Sequence, residues 1–188
     1  MSFIDAEISI VRSDRKSISI QVKPNQLIVR TPYYMKDKEI QAFISSKRDW
    51  IEKHLSLVAQ KQSELDKLQP YSQQELKMIA TKAKEIIPKR VEYYANKIGV
   101  TYGRITIRCQ RTRWGSCSSK GNLNFNCLLS LFSDEVLDSV VVHELCHRKH
   151  MNHSAAFYEE VEKVLPEYKK YSNWLKENGS MYLSRLPK

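Results

Sequence analysis

The chain has 188 residues and a mass of 22.0 kDa, room for one compact domain or a domain with a small appendage. Hydrophobic residues at 41% and charged residues at 28% describe a globular chain and exclude disordered and collagen-like ones. The formal charge is +10, and residues 71–120 hold 11 basic against 3 acidic residues, a block that either attracts nucleic acid, nucleotides and acidic substrates or is a solvated, lysine-rich helix face.

The first third reads as strands. Residues 3–11, 17–22 and 26–30 alternate apolar and polar side chains, with turns at 12–16 and at Pro24-Asn25. From 36 to 57 the period becomes helical, on Ile40, Phe43, Ile44, Trp50, Ile51 and Leu55. His54 stands alone there and reads as a surface or packing residue. Residues 59–72 are polar and contain Pro70, so the expected boundary divides 1–70 from 71–188.

A long amphipathic helix follows, with Ile79, Ala83, Ile87, Val91, Tyr94 and Ile98 on one stripe. It is expected to kink or break at Pro88 and to end at Gly99. Residues 104–109 and 122–127 alternate as strands around a loop at 110–121. Residues 121–133 form the longest uncharged stretch of the chain, 13 residues, too short to cross a bilayer. Ser133 is a natural N-cap for a helix running to about Lys149. Two more helices, about 155–165 and 167–178, are separated by Pro166 and ended by Gly179.

Cys109, Cys117, Cys127 and Cys146 show no CxxC spacing, and the start MSFIDAEISI carries acids where a signal peptide needs bases and an apolar core. Reduced thiols in a cytoplasmic protein are therefore expected, with no membrane association.

Four of the five histidines fall between 143 and 153. His143 and His147, four apart on a helix, share one face and can reach one metal ion. Glu144 projects about 100° further around the axis, beside the metal, where it can take a proton from water. That is the physical content of HExxH. His153, beyond the turn at Asn152, can approach from off the helix. His150 would line up with the first two and make a poor tetrahedron, so it reads as a support or surface residue. Glu160 or Glu167 could replace His153 as third ligand. Three imidazoles suit zinc, one ion per chain.

The segment Arg111-Thr-Arg-Trp-Gly-Ser-Cys117 joins a tight turn or close approach at Gly115 to a large anchor, Trp114. Arg111 and Arg113 could face an anionic group on a substrate, or the segment is a strand-ending turn pinned by its tryptophan.

The stretches RTRWGSCSSKGNLNFN, VVHELCHRKHMNHSAAF and LPEYKKYSNWLKENG resemble the YgjP-type family of metal-dependent hydrolases, related to SprT-like and WLM zinc metallopeptidases. The chain departs from the family pattern at 59–72, where a β segment is absent, and at Tyr158, where tryptophan is usual. The resemblance implies an α+β, zincin-like fold, its HExxH helix beside a small antiparallel sheet, preceded by an N-terminal β-meander and helices. It implies zinc on His143, His147 and His153, with Glu144 as the catalytic base. It also makes 122–127 the candidate edge strand over the site, with Asn124 and Asn126 joining Arg111 and Arg113 as candidate substrate residues.

The function expected is a zinc-dependent hydrolase of the metallopeptidase type acting on a peptide or protein. Two alternatives stand beside it. One is a nucleoside triphosphate hydrolase recruited by the basic block. The other is a nucleic-acid-binding protein with a structural metal, in which Cys117 would be the fourth ligand.

Overall fold

In the computed structural model, which describes residues 6–187, the most apolar strand of the first third takes the centre of its sheet. The strands are β1 (Glu7–Ser13), β2 (Ser19–Lys23) and β3 (Gln26–Pro32). Their order is β1-β3-β2, with β1 parallel and β2 antiparallel to β3. This corrects the expected meander, which would have put β2 in the middle. Leu27, Ile28 and Val29 of β3 are at most 9% exposed, and a strand apolar on successive residues has no face to give to water. β1 can lie at an edge because it tolerates Ile10 and Val11 at 41% and 44% exposure. Residues 3–5 of the expected first strand lie outside the described residues.

Helices α1 (Asp37–Ser46) and α2 (Arg48–Asp66) follow, where one helix over 36–57 was expected. The chain breaks at Lys47, which lets Ile40, Ile44 and Ile51 pack in one cluster with Leu27 and Val29. The helix then outruns its apolar stripe. Residues 60–66 are polar apart from Leu65 and are mostly good helix formers without Pro or Gly, and Gln62 donates to Asp66 one turn on at 2.7 Å. The chain divides into two units, Met1–Lys67 and Leu68–Lys188.

In the second unit, α3 (Gln73–Ile98) starts on a capping box between Ser72 and Glu75 and ends at Gly99, whose φ of 75° is the left-handed cap. It runs through Pro88 without a break. The lost backbone bond is outweighed by burial on both sides of it, of Ile79, Ala83 and Ile87 before and Val91, Tyr94 and Ile98 after.

The second sheet comprises β4 (Ile105–Arg108), β5 (Gly115–Cys117) and β6 (Leu123–Asn126) in the order β4-β6-β5. β4 is parallel to β6 and β5 antiparallel, so the sheet is mixed rather than antiparallel. Strand β6, expected at the edge, is central, with Leu123 and Phe125 fully buried. The edge strand β5 lies inside the stretch read as a loop. Three residues, one of them glycine, carry no periodic signal.

Parallel pairing has a second consequence. Arg108 is opposite Asn126, so the next pair along is Cys109 and Cys127, and their sulfurs are bonded, with Cα atoms 5.2 Å apart. This corrects the expectation of reduced thiols there, because only the sheet register, not the spacing, brings the two together. Cys117 and Cys146 are free.

A 3-10 turn over Cys127–Leu131 leads to α4 (Asp134–Cys146), whose middle is buried nearly all round. Its buried carboxylate, Asp138, is gripped by two nitrogens of Arg90 and by the Tyr94 hydroxyl at 2.8 Å, which fixes α4 against α3. Two helices complete the unit, α5 (Ala155–Val164) and α6 (Tyr168–Ser184). α6 continues past Gly179, which was expected to end it. A Cβ there would lie 2.7 Å from the Trp114 ring, so this glycine serves close packing and not a cap.

Candidate metal centre

Helix α4 ends one residue after Leu145, and His147 is its C-cap residue, so the second histidine sits where the helix hands over to a turn. The turn returns the chain across the end of α4. Ser154 then starts α5, leaving His153 just outside it. One ligand nitrogen from each of His143, His147 and His153 lies within 4.8 Å of the others. Nε2 of His153 is 3.0 Å from Nε2 of His143.

Two of the rings are held from behind. His147 Nδ1 donates to the His150 carbonyl at 3.0 Å, so its proton is on Nδ1 and the Nε2 lone pair is free. His143 Nδ1 lies 2.8 Å from the Tyr168 hydroxyl, leaving its Nε2 for the shared space. Phe157 is fully buried under the cluster, its ring 4.9, 4.7 and 5.0 Å from the rings of His143, His147 and His153. Burial, and then the neighbouring histidine charges, depress His143 to a pKa of about 4, and burial lowers His147 as well. Both stay neutral at pH 7, the form that binds a metal.

Glu144 is 6% exposed, and burial raises its carboxyl to a pKa of about 8 against the opposing charge of Arg113. Gly115 of β5 lies directly against it. A Cβ on Gly115 would come 2.6 Å from Glu144 Oε1 and 2.8 Å from its Cγ. Two cavities meet at this contact. One, of about 280 Å³, is lined by Gly115, Ser116, Cys117, the three histidines, Glu144 and Met151. The other, of about 260 Å³, lies between Trp114, α4 and α6. His143, Glu144 and Gly115 line both.

Arg113 is exposed and acts on Glu144 through its charge. Arg111 is exposed and lines neither cavity. Asn124 ties β6 to β5 through Ser116 at 3.2 Å. Asn126 is fully buried, and its side chain donates to the carbonyls of Gln110 and Arg113 while accepting from Leu128 N–H. It pins the loop that carries the two arginines. Glu160 pairs with Lys149 at 2.6 Å, and Glu167 with Lys170 at 3.0 Å, so both alternatives for the third ligand are engaged elsewhere. Cys117 lines the first cavity but is outside the histidine cluster, its thiol pushed up by burial and by the Glu144 charge. His54 is stacked on Trp50 and belongs to the other unit.

Sequence reasoning missed Tyr168, Phe157 as the floor under the rings, and β5 as the strand beside Glu144. Only β5 left a trace, in Gly115 read as a close-approach residue.

Comparison with known proteins adds a family. The family model described as YgjP-like, metallopeptidase domain, matches residues 16–78 and 66–178. No curated protein matches the chain. Among solved structures, the metallopeptidase zymogen abylysin of Pyrococcus abyssi is 23% identical, with 49% of this chain and 94% of that one covered at a TM-score of 0.44. The metallopeptidase zymogen jannalysin of Methanocaldococcus jannaschii is 21% identical, with 49% and 95% covered at a TM-score of 0.44.

Proposed function

The chain belongs to the YgjP-like metallopeptidase-domain family, and we propose on that premise that it is a zinc peptidase with Glu144 as its base. The observation that carries this reading is the convergence of three imidazoles beside a buried carboxyl, at a wall shared by two cavities. The donor set fits zinc. Three nitrogens converge, two of the rings have their far nitrogen engaged, and no cysteine joins them among the described residues. Zinc bound there supplies Lewis acidity to a carbonyl and to water.

The protein's own groups do the rest. With a cation held beside it, the Glu144 carboxyl would lose the proton that burial keeps on it and could accept one near neutrality. Its carboxylate takes that proton from the attacking water and returns it to the departing amine. Gly115, without a side chain, leaves the carboxylate its place between the cavities.

Elemental mass spectrometry is expected to find about one zinc per chain, as three ligands and an open position require. His153→Ala should retain less than about a tenth of it after dialysis against a weak chelator. Peptide cleavage should disappear on chelation and return with zinc. Phosphate release from nucleotides with peptides left uncut would instead establish the phosphoanhydride reading. A wild type that takes up no divalent metal would end the metal-centred reading.

The hydroxyl behind His143 gives a separate prediction. In the ligating form Nδ1–H donates to the Tyr168 oxygen, which holds the ring and makes Nε2 a better donor. Tyr168→Phe keeps the buried ring and removes only the hydroxyl, which Ser172 also bonds. Zinc affinity by chelator competition should fall about tenfold or more, with little change in thermal stability of the metal-free chain. Unaltered affinity would reduce Tyr168 to a packing residue.

A further inference from the structure

Helix α6 presents Tyr168, Ser172, Leu175 and Lys176 to the second cavity, at the spacing of one helical face. Tyr168 anchors that face at His143, and Gly179 lets Trp114 close against its far end. Trp114, Val140 and Leu175 make the cavity largely apolar. Its polar groups are mostly engaged. Ser139 donates to the Val136 carbonyl at 2.7 Å, and Ser172 bonds Tyr168. Lys176 is different. It lines the cavity, is exposed, and forms no ion pair among the described residues.

The two cavities share His143, Glu144 and Gly115. An amide held at that shared wall places the residue on one side of the scissile bond in the histidine-lined cavity. The residue on the other side falls against α6. We propose that the α6 cavity selects a substrate residue bearing a carboxylate, with its methylenes against Trp114, Val140 and Leu175 and its charge on Lys176. The carboxylate comes from an acidic side chain or from a free C-terminus. An apolar slot with one unpaired cation favours a short aliphatic chain ending in an anion, and it disfavours a cationic one by like charge. This inference rests on the peptidase reading.

The test uses zinc-loaded protein and peptides with Glu, Gln, Leu or Lys beside the cleaved bond. Each is made with an amidated and with a free C-terminus, and cleavage is located by mass spectrometry. We expect kcat/KM for the amidated Glu peptide to exceed that for its Lys counterpart by about tenfold. Lys176→Glu should invert that ratio, and Lys176→Met should bring it close to one. A preference confined to free C-termini and lost with the same variants would assign the carboxylate to the chain end. Equal rates for the Glu and Lys peptides, or a preference unmoved by Lys176→Glu, would overturn the proposal. If wild type cleaves none of the peptides the peptidase reading fails, and fluorescence anisotropy of the same peptides decides the cavity on its own. Tighter binding of Glu than Lys peptides, reversed by Lys176→Glu, retains a carboxylate site, and equal binding removes it.

Discussion

Glu144→Gln is expected to keep one zinc per chain and to lower kcat/KM for peptide cleavage by about a thousandfold, within the range general-base catalysis supplies. The amide has the carboxyl's shape and cannot take a proton, so the variant separates chemistry from metal binding. Turnover within tenfold of wild type would remove Glu144 from the reaction. The same variant has a second readout, in the metal-free protein. Glu144 holds its proton up to about pH 8 when folded, against an ordinary carboxyl value of about 4.5 in the unfolded chain. The folded state therefore binds more protons, and its stability falls as pH rises through 8. Between pH 6.5 and 8 the loss is about 1.5 kcal/mol. His143, with a pKa of about 4 when folded and about 6.5 when unfolded, opposes this by about 0.4 kcal/mol as the unfolded chain loses its proton across the window, and does so equally in both proteins. Thermal unfolding at the two pH values should show the loss in wild type and not in Glu144→Gln. Parallel curves would mean that burial does not hold the proton.

What the sequence made legible follows from how local each signal is. His143, Glu144 and His147 declare themselves because one helical turn fixes their relation, whatever surrounds it. Ser133 and Gly99 mark helix ends for the same reason. Pairing is not local. Strand β1 skips its neighbour for β3, and β4 runs parallel to β6; alternation in a strand says which face is buried, not which strand lies beside it. The missed disulfide follows from that same gap. Gly179 shows a third kind of failure, since a helix-ending glycine and a close-packing glycine look alike until Trp114 is placed against it. Tyr168 was hidden because a tyrosine opening an amphipathic helix reads as core. Its position behind His143 is a fact of tertiary packing. The parts of the centre that bind were thus visible as a motif, whereas the parts that orient and select were not.

Gly115→Ala should damage catalysis to within about tenfold of removing the base itself. The added methyl would sit 2.6, 2.8 and 3.0 Å from Oε1, Cγ and Cδ of Glu144. Those atoms cannot simply swing clear, because the side chain is 6% exposed and its helix is packed on all sides. Either β5 withdraws from α4, or the carboxylate leaves the wall between the cavities, and a displacement of about 1 Å is enough to cost about a hundredfold in rate. We expect kcat/KM to fall by about that factor with zinc content unchanged, since the three atoms nearest the new methyl all belong to Glu144 and none to a histidine. Stability should drop by about 1–3 kcal/mol from overpacking. Gly103→Ala provides the comparison. Its Cβ meets Asn122 Oδ1 at the same 2.6 Å, in a loop outside both cavities. If the two alanines lower stability alike but only Gly115→Ala slows cleavage, the contact acts through the position of Glu144. If both slow cleavage equally, the effect is general loosening of the sheet, and Gly115 has no special part in placing the base.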